Sequence, residues 1–204
     1  MFNSRYFSSS SALCAGVLTV LCTVAQAQDT SGNQLTAEGL SLGAPAPEEP
    51  ETREIGALYF DGEYNDWSLQ CVTVAEGEDP CLMYQLLTDN NGSPIIEFTM
   101  FRLPPDAEAA AGATIVAPLE TSLAQGLNIK VDDLPARNYP FAFCTTVGCY
   151  ARIGLTTEEV DRYKAGVSAE LTIVPIAAPN QRVQASLSLT GFTAAFEASS
   201  IIPQ

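Results

Sequence analysis

Short stretches of alternating apolar and polar residues, separated by turn residues, recur through most of this 204-residue chain. In WSLQCVTV, the alternation places Trp67, Leu69 and Cys71 on one face of a strand. The turn EGEDP follows, and the stretch CLMYQLLT returns. Chains built from many such stretches fold as antiparallel sheets that form a sandwich or a barrel. The sequence therefore predicts an all-β fold, mainly antiparallel and either sandwich-like or barrel-like.

Later stretches continue the pattern in PIIEFTMFRL, GLNIKVDD, ELTIVPI and RVQASLSLTGF. The sequence DNNG, at 89–92, precedes the first of these, and Asn-Gly is a strong hairpin signal. A calcium loop of the EF-hand type needs glycine at its sixth position and glutamate at its twelfth. Counted from Asp89, glycine is fourth and Met100 is twelfth. We therefore predict a hairpin turn and no metal site. Asp132-Asp133 is interpreted as a pair of solvated turn carboxylates rather than a weak cation site.

One helix is well marked in the sequence. Thr156 is followed three residues later by Glu159, which is the pattern of a capping box. Gly166 stands where a left-handed helix terminator is expected. The sequence predicts one short helix over about residues 156–165. The Ala-rich segment 106–112 is too short to predict a second helix.

The N-terminus has the pattern of a secretory signal peptide. Arg5 supplies a positive charge, the apolar run Ala12–Val24 follows, and Ala25-Gln26-Ala27 matches the small-x-small cleavage pattern. A membrane-spanning helix needs about 20 apolar residues, so this run is too short to be one. We predict that residues 1–27 are removed on export. The mature chain is then expected to have no transmembrane span.

Three further regions follow the signal peptide. Residues 28–53 are acidic, rich in proline and without aromatic residues, which predicts a disordered linker. Residues 54–199 are predicted to form a single β domain braced by disulfides, and residues 200–204 a C-terminal tail.

Four of the six cysteines lie beyond the signal peptide, and an even number of cysteines in an exported chain predicts disulfides. Four cysteines allow three pairings, and we favour the local one because each pair falls in one hairpin-like segment. The expected bonds are Cys71–Cys81 and Cys144–Cys149. Cys14 and Cys22 each follow a leucine, where a lipobox wants a small residue, so lipid anchoring is the lesser alternative.

Composition excludes several function classes. Without residues 1–27 the chain carries eight basic and 24 acidic side chains, a net charge of about −16 that repels nucleic acid. The chain has no histidine, which removes catalytic triads that use one and the commonest zinc ligand. A four-thiolate zinc site is disfavoured because no Cys-x-x-Cys pair occurs. We expect no cofactor and no bound metal.

The opening of the segment FCTTVGCYARIGL separates Cys144 from Cys149 by four residues. Dithiol oxidoreductases usually have two intervening residues and a helix that begins at the motif. Here a strand-like stretch follows the second cysteine, so we interpret the pair as a structural brace, with Gly148 free to adopt a positive φ. Trp67 is expected to pack against a disulfide rather than serve as an exposed binding platform.

Five segments, WSLQC, Cys81, APLETSLAQGLNIKVDD, FCTTVGCYARIGLTTEEVDRYKAG and LSLTGFTAAFEA, occur in an order and spacing that resemble the invasion-associated locus B family. The resemblance covers residues 65–198. The chain departs from the family pattern at Pro118-Leu119-Glu120, where relatives more often have Pro-Leu-Gly, and in an insert at 106–114.

The resemblance implies an exported bacterial protein, periplasmic or associated with the cell surface, and some family members are linked to host-cell invasion. It implies no catalytic residues. The family's four cysteines correspond to Cys71, Cys81, Cys144 and Cys149.

Our leading hypothesis is a non-enzymatic binding protein whose partner is another protein or a cell-envelope component. The first alternative is a histidine-free hydrolase or lyase that uses carboxylates and needs a deep cleft containing at least two of them. A weaker alternative is a thiol redox partner that uses an accessible Cys144–Cys149 bond.

Overall fold

The computed structural model of the chain describes residues 53–89 and 91–203, which all lie in one unit. The predicted signal peptide at 1–27, and all of the predicted linker at 28–53 except its last residue, lie outside the described residues. Both remain predictions. The described elements, in chain order, are β1 (Leu58–Tyr64), β2 (Trp67–Val72), β3 (Cys81–Thr88), β4 (Pro94–Arg102), β5 (Ala111–Ala117), β6 (Leu127–Val131), β7 (Arg137–Tyr139), β8 (Phe143–Cys144), β9 (Cys149–Leu155), α1 (Thr157–Ala165), β10 (Ser168–Ile173), β11 (Val183–Ser188) and α2 (Phe192–Ala198), with a 3-10 turn at Leu123–Gln125.

The strands form two sheets, and all neighbouring strands in them run antiparallel. The larger sheet has seven strands in the order β1-β2-β3-β4-β5-β9-β8, and the smaller has four in the order β11-β10-β6-β7. The first five strands form a meander, since each pairs with the next along the chain. The predicted all-β antiparallel fold is confirmed.

One hydrophobic core collects the inward side chains of both sheets. The predicted alternation in β2 is confirmed, because Trp67, Leu69 and Cys71 are all buried. The inward residues of β10 and β11 join the same core, among them Leu171 and Leu187. Burial of such a contiguous apolar cluster from two sheets is the main stabilising contribution in a sandwich-like fold.

The predicted helix is present as α1. The Thr156 hydroxyl accepts a hydrogen bond from the Glu159 N–H, and the Glu159 carboxylate accepts one from the Thr156 N–H, so the capping box is complete. The predicted left-handed terminator is wrong, because Gly166 is extended with φ −79°. A Cβ atom at Gly166 would lie 2.8 Å from Leu189 Cδ1 and 2.9 Å from Asp132 Oδ2, so close packing requires glycine here.

The second helix, α2, was not predicted, and its first residue, Phe192, was included in the strand-like stretch RVQASLSLTGF. It begins after Gly191, whose φ of 87° turns the chain out of the strand direction. Phe192 of α2 lies 5.6 Å, between ring centroids, from both Trp67 and Tyr163. The helix therefore adds aromatic side chains to the core beside β2 and α1.

Residues that follow α2 are bonded to the larger sheet. The Cys81 N–H donates to the Ser200 hydroxyl, and the Ser200 N–H donates to the Cys81 carbonyl. Ile201 forms a parallel bridge with Arg102 at the end of β4. The start of the segment predicted as a C-terminal tail is thus hydrogen-bonded to β3 and β4.

Candidate functional site

The outer face of the seven-stranded sheet carries mostly apolar side chains. Alternation along each strand sends one set of side chains into the core and the other set outward. The outward set would ordinarily be polar in an antiparallel sheet with one solvated side. Here it includes the residues that we call the aromatic face: Phe60, Leu82, Tyr84, Leu86, Phe101, Val116, Phe143 and Tyr150.

Strand register arranges this outer face in cross-strand rows. One row runs from Leu86 through Glu97, Val116 and Tyr150 to Phe143. A parallel row joins the outward side chains Glu63, Ser68, Tyr84, Thr99, Thr114 and Arg152. The first row is apolar except for Glu97, and the second is polar except for the Tyr84 ring, with opposite charges at its two ends.

Several members of the aromatic face are open to solvent. Phe60 is 60% exposed, Leu86 is 47% exposed and Phe143 is 46% exposed, and neighbouring Leu58 is 65% exposed. The rings also form pairs: Phe60 meets Tyr84 edge to face at 5.4 Å between centroids, and Phe143 stacks on Tyr150 at 4.9 Å. Contiguous exposed apolar surface of this kind is typical of interaction sites.

Two glycines form a shallow depression in the same face. Gly112 in β5 and Gly154 in β9 are directly opposite each other. The Phe101 ring lies over Gly112, where a Cβ atom would be 2.5 Å from Phe101 Cζ. Glycine at this position lets an aromatic ring cover bare backbone, which is a known way to protect a strand glycine. A groove of about 470 Å³ runs from this point to Ile202 and Pro203, with Arg152 on its border.

Electrostatically, the outer face is divided. Its strand residues carry two carboxylates, Glu63 and Glu97, on the β1 to β4 side, and the guanidinium of Arg152 on β9. Burial, and secondly the negative charge of Glu97, raise the pKa of Tyr84 above its usual value. The Tyr84 hydroxyl is therefore neutral and available as a hydrogen-bond donor at physiological pH.

The four-stranded sheet presents the opposite surface. Its outward side chains are polar or charged and include Asn128, Lys130, Glu170, Gln184 and Ser186. Lys130 and Glu170 are paired across β6 and β10. This sheet matches the ordinary expectation for a solvated face, so the apolar character of the other sheet is specific to it.

Disulfides join Cys71 to Cys81 and Cys144 to Cys149 in the structure. Each links directly opposed residues of neighbouring strands, with Cα atoms 4.0 Å apart. The Asp61 carboxylate lies within 4.8 Å of the Cys71 and Cys81 sulfurs, but those sulfurs are bonded to each other and offer no thiolate to a metal.

The loop between Cys144 and Cys149 is closed by a hydrogen bond from the Thr145 N–H to the Gly148 carbonyl. Gly148 does not have the positive φ that the sequence suggested. The close approach of β5 favours glycine at position 148. A Cβ atom there would lie 2.6 Å from the Ala117 carbonyl oxygen and 2.7 Å from Val116 Cγ1. Cys149 is buried, whereas Cys144 is an exposed residue.

Trp67 is fully buried, and its ring contacts are with Phe98 and Phe192. Its indole N–H donates to the Ser188 carbonyl at 3.0 Å, which joins β2 to β11 in the other sheet. The prediction that Trp67 is packed rather than displayed is confirmed. Its ring neighbours are Phe98 and Phe192, and the predicted packing against a disulfide stays a prediction.

Two carboxylates noted in the sequence, Asp89 and Asp132, accept hydrogen bonds from backbone N–H groups. Asp89 accepts hydrogen bonds from the N–H groups of Ser93 and Asn91, and these bonds hold its pKa below the usual range. Asp132, at φ 44°, accepts from the N–H groups of Val167 and Ser168. This geometry agrees with the hairpin turn predicted at 89–92. The side chains of Asp89 and Asp132 both stabilise the backbone.

A small, partly enclosed cavity, of about 30 Å³, lies between α1, β6 and β7. Its carboxylate is Glu159, which is buried, ion-paired with Arg137 and committed to the capping box. Burial raises the pKa of Tyr163 in the same wall. A cavity of this size accommodates about one water molecule and not a substrate.

The aromatic face was missed in the sequence, although a signal for it exists. In CLMYQLLT the outward positions Leu82, Tyr84 and Leu86 are as apolar as the inward ones. A strand that is apolar on both sides indicates either burial on both sides or an exposed binding surface. Strands β1 and β5 were not predicted. Without them, the position of this face in a seven-stranded sheet could not be inferred.

Within the described residues, no helix is long and apolar enough to cross a membrane. The family model described as "Invasion associated locus B (IalB) protein" matches residues 67–200, more than half of the chain. A solved structure, the crystal structure of invasion associated protein b from Bartonella henselae, is similar with a TM-score of 0.53 and 19% sequence identity. The match covers 67% of this chain and 91% of that one. A comparison with curated proteins gives no match.

Proposed function

Since the chain belongs to the invasion-associated locus B family, we propose that it is an exported, non-enzymatic binding protein that holds a partner against its aromatic face. The partner is a protein or a cell-envelope component. Contact with a host cell and a role within the bacterial envelope both fall within this proposal.

The contrast between the two sheets carries the proposal. Both sheets bury their inner faces in one core, yet only the seven-stranded sheet turns large apolar side chains outward. Exposed side chains such as Phe60 and Leu86 make no contribution to the core, and in water they favour association. Aromatic residues are also enriched where binding energy is concentrated in protein interfaces.

Export to the periplasm or the cell surface belongs to the same proposal. Two disulfides favour an oxidising compartment, and the N-terminal sequence has the pattern of a cleavable signal peptide. The proposal assigns no catalytic group, cofactor or metal. Glu159, the carboxylate of the partly enclosed cavity, is already occupied by Arg137 and by the helix N-terminus.

Site-specific photo-cross-linking in the producing bacterium, alone and in contact with host cells, tests the proposal. A photoreactive phenylalanine analogue is placed at Phe60 in one variant and at Ser186, on the outer face of the four-stranded sheet, in a matched variant. We expect a discrete cross-linked product from position 60 and none from position 186. Equal products from both positions, or none from either, would rule out the aromatic face as the binding site.

A further inference from the structure

We infer that the partner of the aromatic face is a protein segment that combines apolar side chains with lysine or arginine, and that it docks on the β1 end of the sheet. This inference rests on the proposed function and specifies the partner's chemistry. The docking surface, which we call the β1–β3 patch, consists of Leu58, Phe60, Tyr84 and Leu86.

The β1–β3 patch is contiguous. Leu58 and Phe60 are two positions apart on β1, and Tyr84 and Leu86 are two positions apart on β3, so each pair shares the outer face of its strand. The edge-to-face contact of Phe60 with Tyr84 joins the two strands above β2. The patch therefore offers one apolar surface with three side chains that are about half exposed or more.

Carboxylates flank the patch on two sides. Glu97 stands directly opposite Leu86 on β4, and Glu63 is in the same cross-strand row as Tyr84. Both are exposed, and neither is in an ion pair among the described residues. Carboxylates beside an apolar surface favour a partner with cations at matching positions.

The nearest cation on the strands of this outer face is too distant to neutralise them. Arg152 occupies the other end of the row that starts at Glu63, five strand spacings away. At about 4.8 Å per spacing this is roughly 24 Å from Glu63. Glu97 is two spacings from Arg152 with an offset of two residues, roughly 12 Å. Both separations exceed the Debye length of about 8 Å at physiological ionic strength, so Arg152 does not neutralise either carboxylate.

The chain's own charge disfavours two other occupants. A second copy would bring another surface of the same sign against the patch, and the chain has a net charge of −15. The segment 28–52 contains five acidic residues and no basic one, so it is repelled for the same reason.

Binding of synthetic peptides to the purified, disulfide-bonded protein tests the inference. The probe is an amphipathic peptide of leucine and lysine, and the two matched peptides replace lysine by glutamate or leucine by serine. We expect binding of the leucine–lysine peptide alone, with NMR shifts concentrated at the β1–β3 patch. Equal binding of the glutamate peptide, or of the serine peptide, would overturn the inference.

Variants locate the site and separate its two components. We expect F60S to weaken binding of the leucine–lysine peptide about tenfold or more, as loss of an interface anchor does. The pair E63Q and E97Q should weaken it about tenfold at low salt and much less at high salt, since exposed charges are screened. V167S, and the pair E170Q and E197Q, alter exposed residues elsewhere and should leave affinity unchanged. Affinity that is insensitive to the Phe60 or glutamate changes contradicts the inference.

Failure of this inference is distinguishable from failure of the proposed function. If no peptide binds while cross-links still form at position 60, the aromatic face binds a partner of different chemistry and only the inference is wrong. If cross-links are absent as well, both are wrong. If the cross-linked product is a dimer of the chain, the occupant is a second copy and the inference is again overturned.

Discussion

At Gly148 the backbone approaches β5 so closely that even a methyl group would meet the Ala117 carbonyl oxygen. Gly166 is similar, since its missing side chain makes room for Leu189 and for Asp132, which binds the start of β10. In the sequence both glycines suggested unusual backbone angles, because turn glycines commonly supply them. Close approach depends on a neighbour that is distant along the chain, so sequence alone could not reveal it.

We predict that Gly148→Ala destabilises the protein by about 1 to 3 kcal/mol, the usual cost of overpacking a tight contact. The exposed Thr146 lies in the same loop, and Thr146→Ala should change the free energy of unfolding by less than about 0.5 kcal/mol. Urea unfolding under non-reducing conditions measures both. Equal stability of the two variants would show that the loop moves aside at no cost.

Among the elements, the two helices differ in how far their formation is determined by nearby residues in the sequence. Helix α1 was predicted because Thr156 and Glu159 form their capping box within four residues of chain. Helix α2 has no side-chain cap and begins at Gly191, which adopts a left-handed conformation. Its buried residues Phe192, Ala195 and Phe196 have helical spacing over only seven residues, and Phe192 packs against Trp67 and Tyr163. The strands differ in the same way. Strands β2 and β3 were predicted from alternation, whereas the short strands β7 and β8 depend on pairing with neighbouring strands.

Removal of the N-cap side chain of α1 tests how much the local sequence stabilises this helix. Thr156→Ala should lower the free energy of unfolding by about 1 kcal/mol, because the Glu159 N–H loses its acceptor. Thr157 is exposed at the first helical position, and Thr157→Ala serves as the control with little expected change. Thermal unfolding monitored by circular dichroism compares them. A Thr156 variant as stable as the Thr157 variant would mean that packing alone holds the helix start.

For the whole molecule, a polar link inside the sandwich fixes how the two sheets meet. The Gln85 side chain, in β3, accepts from the Ser188 N–H at 2.8 Å and donates to the Ser188 carbonyl at 3.2 Å and the Asp66 carbonyl at 3.0 Å. Gln85 is buried, and the Trp67 indole bonds to the same Ser188 carbonyl. A glutamine on the inner face of a strand breaks the alternation, and only the second sheet explains it.

We predict that Gln85→Ala costs about 2 kcal/mol, since the Ser188 N–H loses its acceptor and the Asp66 carbonyl loses its Gln85 donor, while the Ser188 carbonyl keeps the Trp67 indole. Gln70 is half-buried on the outer face of β2, and Gln70→Ala should be nearly neutral. Hydrogen exchange provides a second measure, because loss of the link should accelerate exchange of the Ser188 amide. Unchanged exchange and stability would show that the apolar core alone sets the arrangement of the sheets.

The hydrogen bonds of Ser200 to Cys81 join residues 119 positions apart, and the Trp67 indole reaches across 121 positions to Ser188. Contacts so remote in sequence cannot form until residues 188 and 200 have been synthesised. The hairpin of β2 and β3 lacks these contacts until then. Proteins with such distant contacts fold slowly, because a long loop has to close before its contacts repay the lost entropy. During that interval the half-assembled sheet is open to aggregation, which makes a holding chaperone valuable to the nascent molecule.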